Sequence, residues 1–457
     1  MSDSKQPSMT LTTLLENFEE AKPSYNSAEA INEANRCLYC YDAPCMEACP
    51  TGIDIPSFIK KIASGNLKGS AKTIMTANPV GASCARVCPT EELCEGACVL
   101  NHSTSPIMIG DLQRYATDWA IKNEQLLFQQ GEKHDKRIAI IGSGPAGLSA
   151  ARELALLGYH VVIYEAKEEA GGLDTFGIVP FRLPKEISLW EVDQVSRLGV
   201  EICTGVEVGK DISPQELLDN HDAVILAIGM SKVPMLGIEG EQLAGVYDAI
   251  ELVERTKTYG VTDEFVDKRV AVIGAGNTAV DGATTSVRLG AKNVKILYRR
   301  TVEEMSAYDF EYEFAKQDGV EFRWLTAPKR LIGDEHGRVT KLECIEMELI
   351  EEKLGGRKRP VEVKDSSFMM DVDIVVKAIG QTRYRSLIEE FQLVHHDGVV
   401  RVNQETYQTS NPKVFAAGDV IFGKGQGEAM VVSAAQQGKE TAYAIHRSIK
   451  PSKTETA

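Results

Sequence analysis

The sequence predicts an α/β protein in which a small helical domain precedes two parallel-sheet units, and three observations carry that reading. Before residue 137 apolar residues recur at helical spacing with little β-alternation, as in Ile109, Leu112, Tyr115, Ala116 and Trp119. From Arg137, and again from Arg269, the chain reads strand, glycine turn, helix, strand. The two opening strands, Ile138-Ala-Ile-Ile and Val270-Ala-Val-Ile, are continuously apolar, the pattern of strands buried on both faces of a parallel sheet.

A length of 457 residues leaves room for about three domains. With 43% hydrophobic and 25% charged residues the composition is globular, which excludes wholesale disorder. A net charge of −16 argues against binding nucleic acid or an anionic membrane, since both need a cationic surface. No apolar run approaches the roughly 18 residues of a membrane span, and the N-terminus has no basic stretch followed by an apolar one. A cytoplasmic location is therefore expected.

In chain order, Leu11, Leu14, Leu15 and Phe18 make residues 1–20 a short amphipathic helix. Residues 28–130 contain most of the cysteines within helical patterns, and the polar run 131–137 reads as a linker. The two strand–turn–helix–strand units span 137–166 and 269–300. Residues 414–420 form a strand running into Gly418-Asp419, followed by a glycine-rich loop and a helix over 428–449. The tail after 450 is expected to fray.

Each glycine turn carries a dinucleotide-binding fingerprint, which makes the units Rossmann-like. In Gly142-Ser-Gly144-Pro145-Ala146-Gly147 the first glycine makes the tight turn and the second lets backbone approach a pyrophosphate. The third allows close helix–sheet contact, and the helix N-terminal amides face the phosphates. Glu165, 18 residues after Gly147, ends the second strand where a carboxylate can accept from ribose hydroxyls. The second copy, Gly274-Ala-Gly276-Asn277-Thr278-Ala279, ends its second strand in Arg299-Arg300 instead. A basic end suits a 2′-phosphate and hence NADPH; the alternative is an ordinary solvated turn.

Eight of ten cysteines lie between Cys37 and Cys98. In a chain without an export signal, clustered thiols point to metal more than to disulfides. The spacing Cys37-x2-Cys40-x4-Cys45-x3-Cys49-Pro, then Cys84-x3-Cys88-Pro-x4-Cys94-x3-Cys98, has one CxxC and no histidine pairing. It is closer to a ferredoxin run than to a zinc site. Eight thiols match two [4Fe–4S] clusters by count, which would make Cys84 the eighth ligand. The remaining Cys203 and Cys344 are solitary and are expected as buried small hydrophobes.

The fingerprints, with Gly171-Gly172-Leu173 and Ala417-Gly418-Asp419, make the chain similar to the two-dinucleotide-binding flavoprotein superfamily. The resemblance implies FAD, with Glu165 on the adenosine ribose, Gly172 and Leu173 as later contacts, and Asp419 near the pyrophosphate and ribityl chain. It also implies that the NAD(P) unit is inserted into the FAD domain, with segments 222–229 and 373–380 as the two crossing strands. The expected domains are thus 1–135 (helical, iron–sulfur), 136–231 (FAD, first part), 232–380 (NAD(P)) and 381–457 (FAD, second part). No cysteine pair accompanies the flavin motifs, so disulfide chemistry there is not expected.

The runs Asp42-Ala-Pro-Cys45, Cys49-Pro-Thr-Gly-Ile-Asp-Ile55 and Pro106-Ile-Met-Ile-Gly-Asp-Leu-Gln113 sharpen the likeness. They resemble the NAD(P)H-oxidising FAD/iron–sulfur subunits of bacterial dihydropyrimidine dehydrogenases, relatives of the glutamate synthase small subunit. That resemblance implies one [4Fe–4S] cluster on Cys37, Cys40, Cys45 and Cys98. The second would sit on Cys49, Cys88, Cys94 and the amide oxygen of Gln113, leaving Cys84 a bystander. Arg182, in Phe181-Arg-Leu-Pro184, would lie near the glutamine-ligated cluster and raise its potential, or else serve as a salt-bridge partner. Glu303 and Glu304, with Met305-Ser-Ala307, weaken the NADPH reading, and the bacterial enzymes resembled use NADH. The implied role is electron input from NADH or NADPH, with no general acid or base assigned. A separate FMN- and iron–sulfur-bearing barrel subunit would reduce uracil or thymine, in a hetero-oligomer. The alternatives are a glutamate synthase small subunit and a redox-sensing iron–sulfur flavoprotein. A zinc-bearing nucleic-acid module is opposed by the charge.

Overall fold

The computed structural model describes residues 11–230, 233–351, 358–423 and 429–449. They form two compact units. The larger takes residues 22–175, 182–230 and 383–449; the smaller takes 11–21, 176–181 and 233–382. The chain belongs to the α/β class, as the apolar strands predict. Among the described residues no helix is long and apolar enough to cross a membrane.

The larger unit is built on a five-stranded parallel sheet. Its order is Val414–Ala416, Ala223–Leu226, Arg137–Ile141, His160–Tyr164, Glu201–Cys203. Ile138, Ala139, Ile140 and all of Ala223–Leu226 are buried, as strands covered on both faces must be. The helices Pro145–Leu156 and Val431–Ser448 pack against each other on this sheet. A Cβ at Gly438 would collide with the carbonyl of Ala146, so only glycine lets the two helices approach this closely. Residues 424–428, part of the expected glycine-rich loop, lie outside the described residues, as does the tail from 450.

Five main helices precede the sheet: Ser27–Asn35, Ile55–Ala63, Leu67–Ala77, Gly81–Val87 and Ile109–Lys122. Local signals start them. Asn26 and Glu29 form a reciprocal capping box, Asp54 accepts from the amide of Ser57 and Asn66 from that of Gly69. Phe58, Ile59, Ile62, Ile74, Met75 and Leu112 fill the core between them, each worth about 2 kcal/mol of transfer free energy. Val80 and Cys84 instead pack with Ile138, Leu154 and Phe415 in the sheet's own core. The run 131–137 is not a free linker. The amide of Gly131 donates to Ala155, that of His134 to Gly158, and the His134 ring meets Tyr159 edge-on at 4.2 Å. Its backbone donors find partners in the turn after the first sheet helix, which a polarity pattern does not reveal.

In the smaller unit a second parallel sheet runs Val246–Asp248, Ile374–Lys377, Arg269–Ile273, Asn293–Leu297, Glu321–Arg323. As in the first sheet, the fingerprint strand is central with the next two strands beside it in sequence; the far edge differs, being the last strand, Val414–Ala416, in the first sheet and the earliest, Val246–Asp248, in the second. Beside it lies an antiparallel sheet not expected from the sequence: Val339–Ile350 pairs with Thr326–Gly333, Arg359–Glu362 and Phe368–Asp371. The segment Leu11–Glu16 is helical, as its apolar spacing predicts; residues 1–10 lie outside the described residues. Just beyond it, Arg288 donates to the carbonyl of Asn17 at 2.7 Å and stacks 4.0 Å over Phe181. Residues 11–21 of the expected helical domain 1–135 therefore pack in the smaller unit, while its residues 22–135 belong to the larger.

Candidate functional site

The first fingerprint sits where its spacing predicts, between the strand Arg137–Ile141 and the helix Pro145–Leu156. Gly142 has φ +97°, and a Cβ there would meet the carbonyl of Ala227. A Cβ at Gly147 would meet the carbonyl of Gly142. Both are thus required by backbone approach. Gly144 is different: the nearest atom to its Cβ direction is the Cα of Gly172, at 3.9 Å. Gly172, at φ +59°, could not take a side chain, since its Cβ would lie 2.7 Å from the Cα of Gly144. The two glycines leave an open backbone cradle at a helix N-terminus, the shape and dipole that suit a pyrophosphate. Pro145 and Ala146 open that helix, and Leu173 begins the short helix Leu173–Phe176 beside Gly172.

Glu165 closes one side of the turn. One carboxylate oxygen accepts from the amide and hydroxyl of Ser143, at 3.0 and 2.6 Å; the other accepts from the amide of Lys167 at 2.9 Å. These bonds fix the carboxylate directly after the second strand. On another side Gly418 and Asp419 begin a short 3-10 turn, and Gly418 donates to Gln437 at 2.8 Å. Arg383 was not anticipated. Its guanidinium donates to the carbonyls of Asp419 and, at 2.6 Å, Phe422, and so clamps that turn. Burial raises the Asp419 carboxyl above its usual range, with Arg383 opposing. No spacing rule could have found Arg383, because its partners are carbonyls far along the chain.

The second fingerprint repeats the geometry in the smaller unit. Gly274 has φ +127° and faces the carbonyl of Ala378, as Gly142 faces Ala227. Gly276 caps the helix Asn277–Arg288, in which Thr278 is half-buried and Ala279 fully buried. A loop the motif does not mention folds over this turn. Ser306 and Ala307 donate to the carbonyl of Ala275 at 3.2 Å, and Tyr308 donates to the Asn277 side chain at 3.2 Å. Arg299 is exposed at the strand end, while Arg300 is held through Nε to the carbonyl of Lys358 at 3.2 Å. Glu304 is taken up by Thr301, whose hydroxyl donates to it at 2.5 Å.

The cysteines separate into two neighbourhoods. Cys37, Cys40, Cys45 and Cys98 line one cavity together with Ile55, Ile59, Ile107 and Ile109. Burial, and then the neighbouring Cys37, pushes the Cys45 thiol up to about 12; Cys37 is raised by burial too. Four thiols in an apolar shell that disfavours their ionised forms are a donor set that a polycationic core would stabilise. Among the described residues no three His, Cys, Asp or Glu side chains converge tightly enough for a single metal ion.

Burial raises the Cys94 thiol well above its usual range, and the nearby Glu95, Cys49, Cys88 and Cys45 add to the rise. Cys84, 3% exposed, lies within hydrogen-bond reach of Cys88 and belongs to the sheet's core, against which the half-buried Cys88 also packs. Gln113 lies on the helix Ile109–Lys122, whose first turn is capped by Glu33 on Met108 and Glu95 on Gly110, both at 2.9 Å. Its Nε2 donates to the carbonyl of Gly81 at 2.7 Å, which fixes the amide and leaves the carbonyl oxygen as its acceptor end. Arg182 is half-buried between the buried Phe181 and Leu183. Of the solitary cysteines, Cys344 is buried as expected; Cys203 is only half-buried, because it ends the edge strand of its sheet.

Three ionisable side chains tie this thiol-bearing region to the sheet helices. Glu191 accepts from the amides of Ala82 and Ser83, at 2.7 and 3.0 Å, and from the Ser83 hydroxyl. Burial nonetheless pushes its carboxyl up to about 8. Arg152 donates to the carbonyls of Met75 and Thr76, at 2.7 and 3.0 Å, and Lys439 donates to that of Ala77. Two cations thus cap the C-terminus of the helix Leu67–Ala77, where the helix dipole favours positive charge.

Comparison with known proteins agrees with this division. Residues 14–125 match the family model described as dihydropyrimidine dehydrogenase domain II, 4Fe-4S cluster, and residues 136–438 match that of pyridine nucleotide-disulphide oxidoreductases. The chain is 34% identical over 429 residues to the NAD-dependent dihydropyrimidine dehydrogenase subunit PreT of Escherichia coli K12, covering 94% of this chain and 96% of that one. It is equally identical, over 443 residues, to the small chain of the same organism's NADPH glutamate synthase, covering 94% and 93%. A solved structure with the same fold, Mycobacterium tuberculosis FprA in complex with NADPH, superposes with a TM-score of 0.57 at 20% identity, covering 69% of this chain and 84% of that one.

Proposed function

The chain belongs to the pyridine nucleotide-disulphide oxidoreductase family, and from that premise we propose that it is the electron-input subunit of a dihydropyrimidine dehydrogenase. In this reading it oxidises NADH or NADPH with FAD and passes electrons through two [4Fe–4S] clusters. A separate FMN- and iron–sulfur-bearing subunit then reduces uracil or thymine at the 5,6 double bond, or runs the reverse. The carrying observation is that the cavity lined by Cys37, Cys40, Cys45 and Cys98 lies in the same compact unit as the Gly144–Gly172 cradle.

The residues present fit the groups this function requires. The open cradle, Glu165 and the turn at Asp419 suit FAD, and the four-thiol cavity suits a cubane cluster. When bound, a flavin exchanges the electron pair of a nicotinamide for the single electrons that iron–sulfur clusters carry. The chain's own part is to hold these groups. Glu165 is oriented by Ser143 and Lys167 to accept from a ribose, and Arg383 keeps the Asp419 turn closed. Gln113, with its amide fixed by Gly81, is favoured over Cys84 as the fourth ligand of the second cluster, because Cys84 is fully buried within the sheet's core, whereas Cys88 only packs against it. In the smaller unit Gly274, Gly276, Asn277, Thr278 and Ala279 would hold the nicotinamide dinucleotide. The engagement of Arg300 by Lys358 and the acidic Glu303 and Glu304 favour NADH over NADPH.

Coexpression with candidate barrel subunits, followed by uracil-dependent oxidation of NADH and NADPH in parallel, tests this reading. Pyrimidine-dependent turnover, faster with NADH, is expected. The second reading, a glutamate synthase small subunit, is favoured by the equal identity to that chain. Copurification with an amidotransferase-bearing large subunit, without pyrimidine turnover, would establish it instead.

A further inference from the structure

Lys439 was not singled out by any motif, and its surroundings give it a part to play. It sits on the helix Val431–Ser448, immediately after the close-approach Gly438. From there its ammonium donates to the carbonyl of Ala77 and reaches that of Thr51 at 3.5 Å. Thr51 follows the Cys49-Pro50 step, and its hydroxyl lies 3.4 Å from the Cys49 sulfur. A cation carried by the sheet side of the unit is thus held against the loop that carries a thiol of the second neighbourhood. Arg152 and Glu153, a buried ion pair at 2.5 Å, stand on the adjacent helix Pro145–Leu156, and Glu440 follows Lys439 on its own helix. Burial lowers the Lys439 ammonium below its ordinary value, and the charges of Glu153 and Cys49 oppose that.

We infer that Lys439 is a positioning residue for the second cluster: it anchors the Cys49–Thr51 loop to the sheet helices and sets that cluster's reduction potential with a fixed positive charge. This rests on the iron–sulfur reading of Cys49, Cys88 and Cys94. One-electron reduction adds negative charge at that site, and a nearby cation held in a poorly solvated place stabilises the added charge more than water would. Removing the cation makes reduction harder; the cluster at Cys37, Cys40, Cys45 and Cys98 is left unchanged.

The test is a potentiometric titration, followed by electron paramagnetic resonance, of the full loaded chain, with iron, labile sulfide and flavin measured on each sample. Lys439→Gln keeps a hydrogen-bond donor and removes the charge. It is expected to disfavour reduction of one cluster roughly tenfold, about 59 mV for a one-electron couple. Lys439→Arg, which keeps the charge, is expected within about threefold of the parent on the same scale. Glu153→Gln removes an opposing negative charge and should shift the same cluster in the opposite direction. It also serves if Lys439→Gln does not retain iron. Iron-loaded Lys439→Gln with both midpoints at parental values, an Arg variant displaced as far as the Gln variant, or no shift in Glu153→Gln would each overturn the inference. A parent chain without iron would fail at the earlier step, in the cluster reading itself.

Discussion

At the scale of single residues, what the sequence made legible were positions at which backbone meets backbone. Gly142, Gly147 and Gly274 stand where any side chain would strike a carbonyl, and their spacing alone announces it. Gly172 belongs with them, and its substitution is a clean test of the cradle. Gly172→Ala puts a Cβ 2.7 Å from Gly144 at φ +59°, so the purified variant should retain under about a tenth of the parental flavin while remaining folded by circular dichroism. Undiminished flavin would remove the cradle from the cofactor site. The cysteines divide similarly. Cys88→Ser should lose about half the iron per chain, whereas Cys84→Ser should keep nearly all of it, because Cys84 is fully buried within the sheet's core while Cys88 only packs against it. Iron and labile sulfide analysis of the two variants decides this, and the reverse pattern would make Cys84 the ligand. Arg383 and Lys439 escaped the sequence because each acts on carbonyls 36 or more residues away, and a carbonyl leaves no trace in residue identity.

At the scale of elements, apolar spacing announced several helices, but the docking of one helix on another was not visible. Glu191 shows why. In sequence it is one acid among many on the helix Lys185–Ser196; in the fold it is fully buried and caps the helix Gly81–Val87. Its carboxyl is pushed up to about 8 by burial, whereas in an unfolded chain it titrates near 4.5. Between those values the folded form holds a proton that the unfolded form has released. The associated stability is fully present below about pH 4.5 and is lost as pH rises through about 8, at no more than about 1.4 kcal/mol per pH unit. Urea midpoints at pH 5, 6.5 and 8 should therefore fall less steeply in Glu191→Gln than in the parent; parallel profiles would contradict the burial argument. The antiparallel sheet was not read from the sequence, although along its long strand Val339, Leu342, Ile345 and Met347 are buried while Lys341, Glu346 and Glu348 are exposed. That pattern is irregular, with a register shift at Glu343–Cys344, which blurs the period of two.

At the scale of the whole molecule, each parallel sheet centres on its own fingerprint strand, and the chain enters and leaves the smaller unit more than once. The thiol-bearing helices share their core with the sheet of the larger unit through Val80 and Cys84, so the loss of what the thiols hold should be felt beyond them. Stripping iron with a chelator should lower the first calorimetric transition by several degrees, since about 1 kcal/mol corresponds to 2–4 °C in a unit of this size. An unchanged trace would mean that the thiols contribute nothing to folding. The likeness to pyrimidine and glutamate-forming enzymes was readable from cysteine spacing, while the choice between them was not, because the partner's surface is not encoded in the motifs.

The central claim is that a nicotinamide, a flavin and iron–sulfur clusters act in series on this one chain. Anaerobic titration of the purified chain with NADH, recorded across the visible spectrum alongside its iron and flavin content, tests it most directly. The account predicts about eight irons and one flavin per chain, with loss of the flavin bands accompanied by loss of the broad cluster absorbance. A chain that binds flavin but holds no iron, or one whose spectrum is indifferent to both NADH and NADPH, would contradict it.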